Sequence, residues 1–358
     1  MQNAESKMQN EYALSGLYHR EMPSLFAELA RTPELLRLGQ VGMNCGCEYT
    51  GFPLFSAGRT YSRLEHSLGV GLIVWHFTGD PAQAVAGLLH DIATPTFAHV
   101  VDFLRGDYLT QEATEDGTRE RIANSPELQR ILAANGLTTD DVADYHRYPI
   151  ADNASPRLSA DRLEYTLGNT LRWGFLTRGE IAAIYADLRV GTNEEGAPEL
   201  VFGSPAPASR FARAALACSR VYVSDEDRYA MQALSELLAR ALEAGVLCPA
   251  DLDGTEPPLV AKLESSALAD AWQRFRKLHR IERAEAPPEM ACMPTAARAA
   301  CPPVSTPDNR PWRQIPAKKR RIDPLVEGLG RVSALDADFA ADLNAFLSEP
   351  QTAWLWGE

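Results

Sequence analysis

Four side chains in three separated segments of this sequence have the types and spacing of a metal site. His66 lies in Arg63-Leu-Glu-His66-Ser-Leu-Gly-Val70, the pair His90-Asp91 follows Gly87-Leu-Leu, and Asp161 lies in Ser159-Ala-Asp161-Arg-Leu-Glu-Tyr165. Each stands in an apolar helical pattern, where charged groups are rare unless they are paired or bind metal. Imidazole and carboxylate donors together favour Mn, Fe, Co or Zn over Ca. The sequence therefore predicts a divalent metal site.

The elements that must position these side chains are helices. Apolar positions recur at helical spacing through most of residues 10–245, and strand signals are scarce. Ser62 and Glu65 form a predicted capping box before His66, and Asp80-Pro81 predicts the start of a helix that runs to His90-Asp91. A hairpin is predicted within residues 190–205, where apolar flanks surround a polar turn. The fold class that follows is all-α with one small hairpin.

Composition changes along the chain predict four segments. They are an N-terminal helical segment (1–34), a domain that holds the site (35–247), an irregular Pro- and Ala-rich arm and linker (248–322), and a C-terminal helix and tail (323–358). Residues 323–347 have helical spacing. We expect Trp354 and Trp356 to tie the chain end to the body, because exposed paired tryptophans are unfavourable.

Charge and hydropathy exclude several classes of partner. The 358-residue chain carries a formal net charge of −13, which argues against binding extended nucleic acid through its phosphates. No apolar stretch approaches the roughly 20 residues that span a bilayer, so no membrane association is expected. The first residues lack a secretory pattern, and a cytoplasmic location is the default expectation.

The three motifs together resemble those of the HD-domain phosphohydrolases, most closely the branch of deoxynucleoside triphosphate triphosphohydrolases. The resemblance rests on Arg63–Val70, on Gly87–His99 and on Asp161–Tyr165, over roughly residues 35–245. It implies a helical HD-domain bundle, here with the hairpin and a C-terminal helical extension. It also implies a nucleotide substrate, and it makes a homo-oligomer an open expectation.

Carried over residue by residue, the resemblance implies specific roles. The metal ligands are His66, His90, Asp91 and Asp161, holding one ion, with Mn, Fe or Co favoured over Mg or Zn. Asp91, Arg63 and His99 are the implied catalytic residues. The implied substrate-binding residues are Arg63, His99, Tyr165 and Tyr222.

Departures from the family pattern bear on the reaction. The triphosphohydrolases have histidines where this chain has Thr94 and, by alignment, Thr114, whereas His99 matches. A complete set of metal ligands combined with missing catalytic histidines resembles the oxetanocin-pathway nucleotide phosphohydrolases, which remove phosphates stepwise. The prediction is therefore hydrolysis of phosphate groups from a nucleoside or deoxynucleoside mono-, di- or triphosphate.

Two alternative functions stay open. One is dNTP triphosphohydrolysis that releases tripolyphosphate, with His99 or His146 replacing the missing histidines. The other is a catalytically weak nucleotide-binding regulator. His19, His76, His146 and His279 are interpreted as ordinary surface or core residues, and His146 alone has the alternative of lining the pocket.

The basic run Lys318–Arg321 also has two interpretations. The favoured one is a solubilising turn before the last helix, and the alternative is a clamp over substrate phosphates or a docking site for a partner. Neighbouring Arg310, Arg313 and Trp312 make the alternative worth testing.

Overall fold

The computed structural model describes residues 14–56, 61–106, 117–286 and 312–358. Helices dominate it, as the sequence predicted. The α-helices are α1 (Ser15–Tyr18), α2 (Ser24–Leu29), α3 (Pro33–Leu38), α4 (Pro53–Ser56), α5 (Arg63–Thr78), α6 (Pro81–Leu89), α7 (Val100–Leu104), α8 (Thr118–Asn124), α9 (Pro126–Ala134), α10 (Thr139–Val142), α11 (Ala160–Arg172), α12 (Arg178–Asp187), α13 (Pro205–Val221), α14 (Asp225–Glu243), α15 (Pro249–Leu252), α16 (Glu256–Glu264), α17 (Ala269–Arg276), α18 (Val332–Leu335) and α19 (Ala337–Ser348). Short 3-10 helices span Cys47–Tyr49 and Tyr145–Arg147.

Three helices, α5, α6 and α11, carry the predicted ligands, and α5 packs against both others. Their starts follow the predicted chemistry. Ser62 and Glu65 form a reciprocal capping box on α5. The Asp80 carboxylate accepts from the backbone of Ala82 and Gln83 at the start of α6. Ser159 caps α11 in the same way, by accepting from the backbone of Arg162.

The chain between α6 and α7 turns sharply beneath the site. Helix α6 ends at Leu89, and His90 is its C-terminal cap. Pro95 prevents the helix from continuing, as expected, and Phe97 and Ala98 adopt positive φ values of 63° and 47° before α7 begins. Both side chains are fully buried, so the surrounding packing holds this unfavourable backbone conformation in place.

The predicted hairpin is present but belongs to a larger sheet. Strands β1 (Leu188–Thr192) and β2 (Pro198–Phe202) pair antiparallel, and β4 (Leu325–Val326) and β5 (Gly330–Arg331) extend the order to β1-β2-β4-β5. The expectation of a continuous helix over residues 323–347 is therefore wrong for its first third. Gly328 and Gly330, both at positive φ, form the turn instead, and helix begins only at Val332.

The segment predicted as an irregular arm, residues 248–322, contains three helices at its start. Prolines in α15 and α16 occupy the first turn, where the missing N–H costs nothing because that group has no helical acceptor. The prolines of this part of the segment are therefore compatible with helix. Trp272 of α17 is fully buried and belongs to a second apolar cluster, which also contains buried side chains of α14.

The later part of that segment is an extended arm, Trp312–Pro324, that crosses the body. Near the start of the arm, Arg313 pairs with Leu355 of β6 (Trp354–Gly357), which itself pairs antiparallel with β3 (Ile281–Ala284). Trp356 stacks on Trp312 with 6.4 Å between ring centroids, so the chain end is tied down as expected.

Within the described ranges, no helix combines the length and apolar character needed to cross a bilayer.

Candidate metal centre

Three helices bring the predicted ligand atoms to one point. His66 Nε2 lies 3.2 Å from His90 Nε2 and 3.1 Å from Asp161 Oδ1, and His90 Nε2 lies 3.7 Å from the same carboxylate oxygen. Asp91 Oδ2 completes the group at 3.9 Å from His66 Nε2 and 3.7 Å from His90 Nε2. Both histidines and Asp91 are buried.

The outer nitrogen of each imidazole faces an acceptor, which defines the tautomer. His66 Nδ1 lies 2.6 Å from Glu164 Oε2, and His90 Nδ1 lies 2.7 Å from the carbonyl oxygen of Gly87. In the neutral form of both rings, each Nδ1–H therefore donates outward, and each Nε2 presents a lone pair to the cluster. Two lone pairs that face each other at 3.2 Å beside a carboxylate repel one another. A cation relieves that repulsion, so the donor set fits a divalent metal.

The charges around this cluster also favour a cation. Burial lowers the pKa of His66, but hydrogen bonds with Asp161 and Glu164 outweigh burial and raise it to about 10. Burial alone would raise the pKa of Asp161, yet His66 and then His90 bring it down to about 2. The carboxylates that would retain a proton on His66 attract a metal ion for the same reason.

Asp91 is held on both oxygens. Arg63 Nη1 donates to Asp91 Oδ2 at 2.8 Å, and Thr94 Oγ1 donates to Asp91 Oδ1 at 2.8 Å. Against the effect of burial, Arg63 and the two imidazoles keep the pKa of Asp91 far below its usual range. Thr94, which stands where relatives have a histidine, thus orients a predicted ligand. Arg63 also lines the cavity, and one of its N–H groups donates to Asp91.

The glycine of the His66 motif makes room for the carboxylate behind that histidine. A Cβ on Gly69 would lie 2.6 Å from the Glu164 side chain. Tyr61 also donates to Glu164 Oε2, and Tyr18 donates to Oε1 at 3.4 Å. Glu164 therefore has a full set of partners that fix its direction toward His66. Its position three residues after Asp161 was a signal that the sequence analysis did not use.

The cluster opens into a cavity of about 610 Å³, within the range typical of small-molecule sites. All predicted site residues line it: Arg63, His66, His90, Asp91, His99, Asp161, Tyr165 and Tyr222. Thr114 lies outside the described residues, as do Arg310 and the acidic residues near 112–116. His19, His76 and His279 are not among the residues that line the cavity.

One wall of the cavity follows a single face of α11. From Asp161, positions four apart contribute Tyr165, Asn169 and Trp173. Asn169 Nδ2 donates to the hydroxyl oxygen of Tyr222 at 2.9 Å, and the Trp173 and Tyr222 rings lie 5.8 Å apart. We call His66, His90, Asp91 and Asp161 the histidine end, and Asn169, Trp173 and Tyr222 the aromatic end. The spacing of four could have identified Asn169 and Trp173 from the sequence.

Two buried polar atoms at the aromatic end lack a protein partner. Among the described residues, none hydrogen-bonds Asn169 Oδ1 or Trp173 Nε1. One is an acceptor and the other a donor, and both side chains line the cavity. Unpaired buried polar groups are destabilising, so a ligand with both a donor and an acceptor fits here.

Two histidines of the cavity have carboxylate partners. His99 Nδ1 lies 2.8 Å from Asp102 Oδ2, whose carboxylate is fully buried at the start of α7. Burial lowers the pKa of His99, with a smaller opposing effect of Asp102. His146 Nδ1 lies 3.0 Å from Asp152 Oδ2, and Asp152 also pairs with Arg162 at 3.0 Å.

The extended arm supplies charges that the favoured interpretation placed in solvent. Lys318 and Arg320 line the cavity, and Arg320 Nη2 lies 3.4 Å from His99 Nε2. Lys318 is exposed, as a solubilising turn requires, but Arg320 is half-buried, so the expectation describes these two residues only in part. Asp227, at the start of α14, lines the same region, and burial raises its pKa to about 8 against the effect of Arg320. No sequence signal marked Asp227.

Comparisons with known proteins agree with this geometry. No protein-family model matches the chain. The chain is 26% identical over 234 residues to the uncharacterized protein YdhJ of Bacillus subtilis, which covers 64% of this chain and 70% of that protein. It is 28% identical over 232 residues to the metal-dependent phosphohydrolase cns2 of Cordyceps militaris, over 63% of this chain and 62% of that protein.

The alignment with the Cordyceps protein thus spans less than two thirds of that relative. A crystal structure of a phosphohydrolase from Bacteroides thetaiotaomicron has a TM-score of 0.56, at 16% identity over 92% of this chain and 94% of that one. At that identity it shows a shared fold alone. The sequence similarity thus includes a protein named as a metal-dependent phosphohydrolase, and the His66–His90–Asp161 cluster offers three potential ligands for a metal ion.

Proposed function

We propose that this protein hydrolyses phosphate groups from a nucleoside or deoxynucleoside phosphate with the help of one divalent metal ion. The observation that carries the proposal is the approach of His66 Nε2 and His90 Nε2 to 3.2 Å, beside Asp161 Oδ1, at one end of a cavity with an aromatic far end. His66, His90, Asp91 and Asp161 would hold the ion. When bound, the ion would polarise a phosphoryl oxygen and lower the pKa of coordinated water.

The chain's own residues supply the positioning. Arg63 and Thr94 hold Asp91 from two sides, so its carboxylate keeps one orientation. Glu164 does the same for His66, and the Gly87 carbonyl for His90. These contacts fix the reacting end before substrate arrives, which is how preorganised electrostatics lower a barrier.

The aromatic end favours a nucleotide over a simple phosphate ester. Asn169 stands eight residues after Asp161 on α11, about 12 Å along the helix axis. A substrate whose phosphate lies at the histidine end therefore presents its sugar or base to Asn169, Trp173 and Tyr222. Those groups offer rings for packing and one donor and one acceptor for hydrogen bonds.

The test is a chromatographic product assay on purified protein with nucleoside mono-, di- and triphosphates and Mn, Co, Fe or Mg. p-Nitrophenyl phosphate is the matched control because it has a phosphate but no sugar or base. We expect stepwise release of orthophosphate from nucleotides, at a higher kcat/KM than from the control ester.

The other outcomes separate the alternatives. Intact tripolyphosphate would establish dNTP triphosphohydrolysis. Metal and nucleotide binding without any product would establish a regulator. A preference for the control ester over every nucleotide would contradict the proposed role of the aromatic end.

A further inference from the structure

The arm that carries Arg320 is fixed along its length. Arg313 pairs with Leu355, the Ala317 N–H donates to Gln351 Oε1 at 2.7 Å, and the Asp323 N–H donates to the Pro156 carbonyl at 2.8 Å. Between them, the Ile315 carbonyl accepts from the buried side chain of Arg228. These contacts come from opposite parts of the fold, so the arm forms a wall of the cavity with a defined backbone position.

Side chains on the arm alternate between two directions. Lys319 Nζ donates to the carbonyls of Phe346 (2.7 Å) and Leu347 (3.0 Å) in the last turn of α19. Lys318 and Arg320, on either side of it, line the cavity instead. Extended backbone places alternate side chains on opposite sides, so the anchoring of Lys319 directs its neighbours inward.

Arg320 meets the site at His99. A guanidinium can only donate, so in this contact His99 Nε2 is the acceptor, and its proton lies on Nδ1 toward Asp102. A neutral His99 in that tautomer cannot donate from Nε2 to an oxyanion. The cation beside it can, and a guanidinium fork matches two phosphate oxygens.

Two further arginines line the cavity, each beside a carboxylate. Arg63 lies 2.8 Å from Asp91, and Arg162 lies 3.0 Å from Asp152. The arm adds two more positive charges to a cavity where Asp91, Asp152 and Asp161 oppose an anionic substrate.

We propose that Arg320, assisted by Lys318, binds the phosphate group of the substrate from the arm side of the cavity. This inference rests on the proposed function for the identity of the substrate. The phosphate dianion is then held between the ligands of the histidine end and a cation that comes from a different part of the fold.

The experiment compares wild type with Arg320→Gln, Arg320→Lys and the control Arg321→Gln, which removes the same charge from the next, exposed arm residue. Inorganic phosphate is titrated calorimetrically into each metal-loaded protein, and KM is measured for the best nucleotide. Because a charge-assisted hydrogen bond contributes about 1.5–3 kcal/mol, Arg320→Gln should weaken phosphate binding about ten- to a hundredfold. Arg321→Gln should change it less than about twofold, as expected for an exposed charge.

Arg320→Lys keeps the charge without the fork, so it should fall between wild type and Arg320→Gln. If Arg320→Gln lowers the thermal midpoint, the comparison uses Arg320→Lys instead, because this variant preserves the charge beside His99. Unchanged phosphate affinity in Arg320→Gln, or equal weakening in Arg321→Gln, would overturn the inference.

The two proposals can fail separately. If no nucleotide is hydrolysed but Arg320→Gln still loses phosphate affinity, the proposed function fails and the phosphate site stands. If nucleotides are hydrolysed and Arg320→Gln keeps the wild-type KM and phosphate affinity, the function stands and the role of Arg320 is wrong.

Discussion

The histidine end and the aromatic end of the cavity differ in how completely their polar atoms are paired. At the histidine end, both Nδ1 atoms and both Asp91 oxygens have protein partners within 2.8 Å. At the aromatic end, Asn169 Oδ1 and Trp173 Nε1 have none among the described residues. A fully paired set resists rearrangement and suits one small cation. An incompletely paired set gains most when a substrate supplies the missing partners.

The carboxyl groups of the cavity show the same contrast. Imidazoles overcome burial at Asp161 and bring its pKa to about 2, whereas burial prevails at Asp227 and raises its pKa to about 8. The ionised Asp161 at the histidine end suits a metal ion. A protonated Asp227, in contrast, adds no negative charge beside Arg320 and Lys318.

Removing a ligand should have the largest effect. Asp161→Ala should lose bound metal and lower kcat at least about a thousandfold, because the ion supplies several kcal/mol of charge stabilisation. Metal content by mass spectrometry and the product assay measure this. Asp338→Ala is the matched control, since Asp338 is an exposed aspartate in the first turn of another helix. Full metal retention in Asp161→Ala would contradict the ligand assignment.

Weakening the hydrogen bond that orients His66 should have the next largest effect. Glu164→Gln keeps the shape but weakens the charge-assisted bond to His66 Nδ1, so metal affinity should fall about 10- to 100-fold. Titration against a chelator of known affinity measures the change. Nucleotide KM at saturating metal should stay near wild type. A rise in KM without loss of metal affinity would instead assign Glu164 to substrate binding.

Altering the aromatic end should change substrate preference without changing metal affinity. Trp173→Phe keeps a ring but removes the Nε1 donor, and one hydrogen bond of about 1 kcal/mol corresponds to about a fivefold rise in nucleotide KM. The KM for p-nitrophenyl phosphate should not change. Trp75→Phe is the control, because Trp75 packs on Phe26 away from the cavity. Equal changes for both substrates would remove the distinction between the two ends.

The smallest effect concerns stability and pH. Asp227 has a folded pKa of about 8, above the roughly 3.9 of an unfolded aspartate, so the protonated form is favoured by folding. Its contribution is complete below pH 4 and is lost as pH rises to 8. Asp227→Asn cannot ionise, so the variant should gain on the order of 1–3 kcal/mol relative to wild type between pH 4 and pH 9. Denaturant unfolding of the metal-free proteins measures the difference, and a pH-independent difference would contradict the shifted pKa.

Local patterns predicted the histidine end well. The cap of Ser62, the turn at Pro95 and the helix-borne His66, His90 and Asp161 all follow from short-range sequence signals, and they meet as expected. The reason is that His66 and Asp161 sit on helices whose starts are fixed by their own neighbours, and His90 caps the end of a third such helix. The roles of the cavity residues in catalysis and substrate binding stay predictions until the variants are measured.

The arm and the second half of the fold were less predictable. Arg320 reaches the cavity only because Lys319 is anchored on α19, a contact between residues that no local pattern links. Pro257 and Pro258 resemble linker residues, but a helix tolerates them in its first turn. Asp227 depends on how α14 packs beside the arm. Such long-range packing is invisible in a single sequence.

The pairing around strand β6 has a practical consequence for protein engineering. Leu355 lies between Arg283 on one side and Arg313 on the other. Adjacent strands are about 4.8 Å apart, so these two arginines are held about 10 Å apart although they are distant in sequence. Fluorescent labels placed at these two positions should therefore report the pairing of β6 through their separation, which makes them a probe of how the chain end is held.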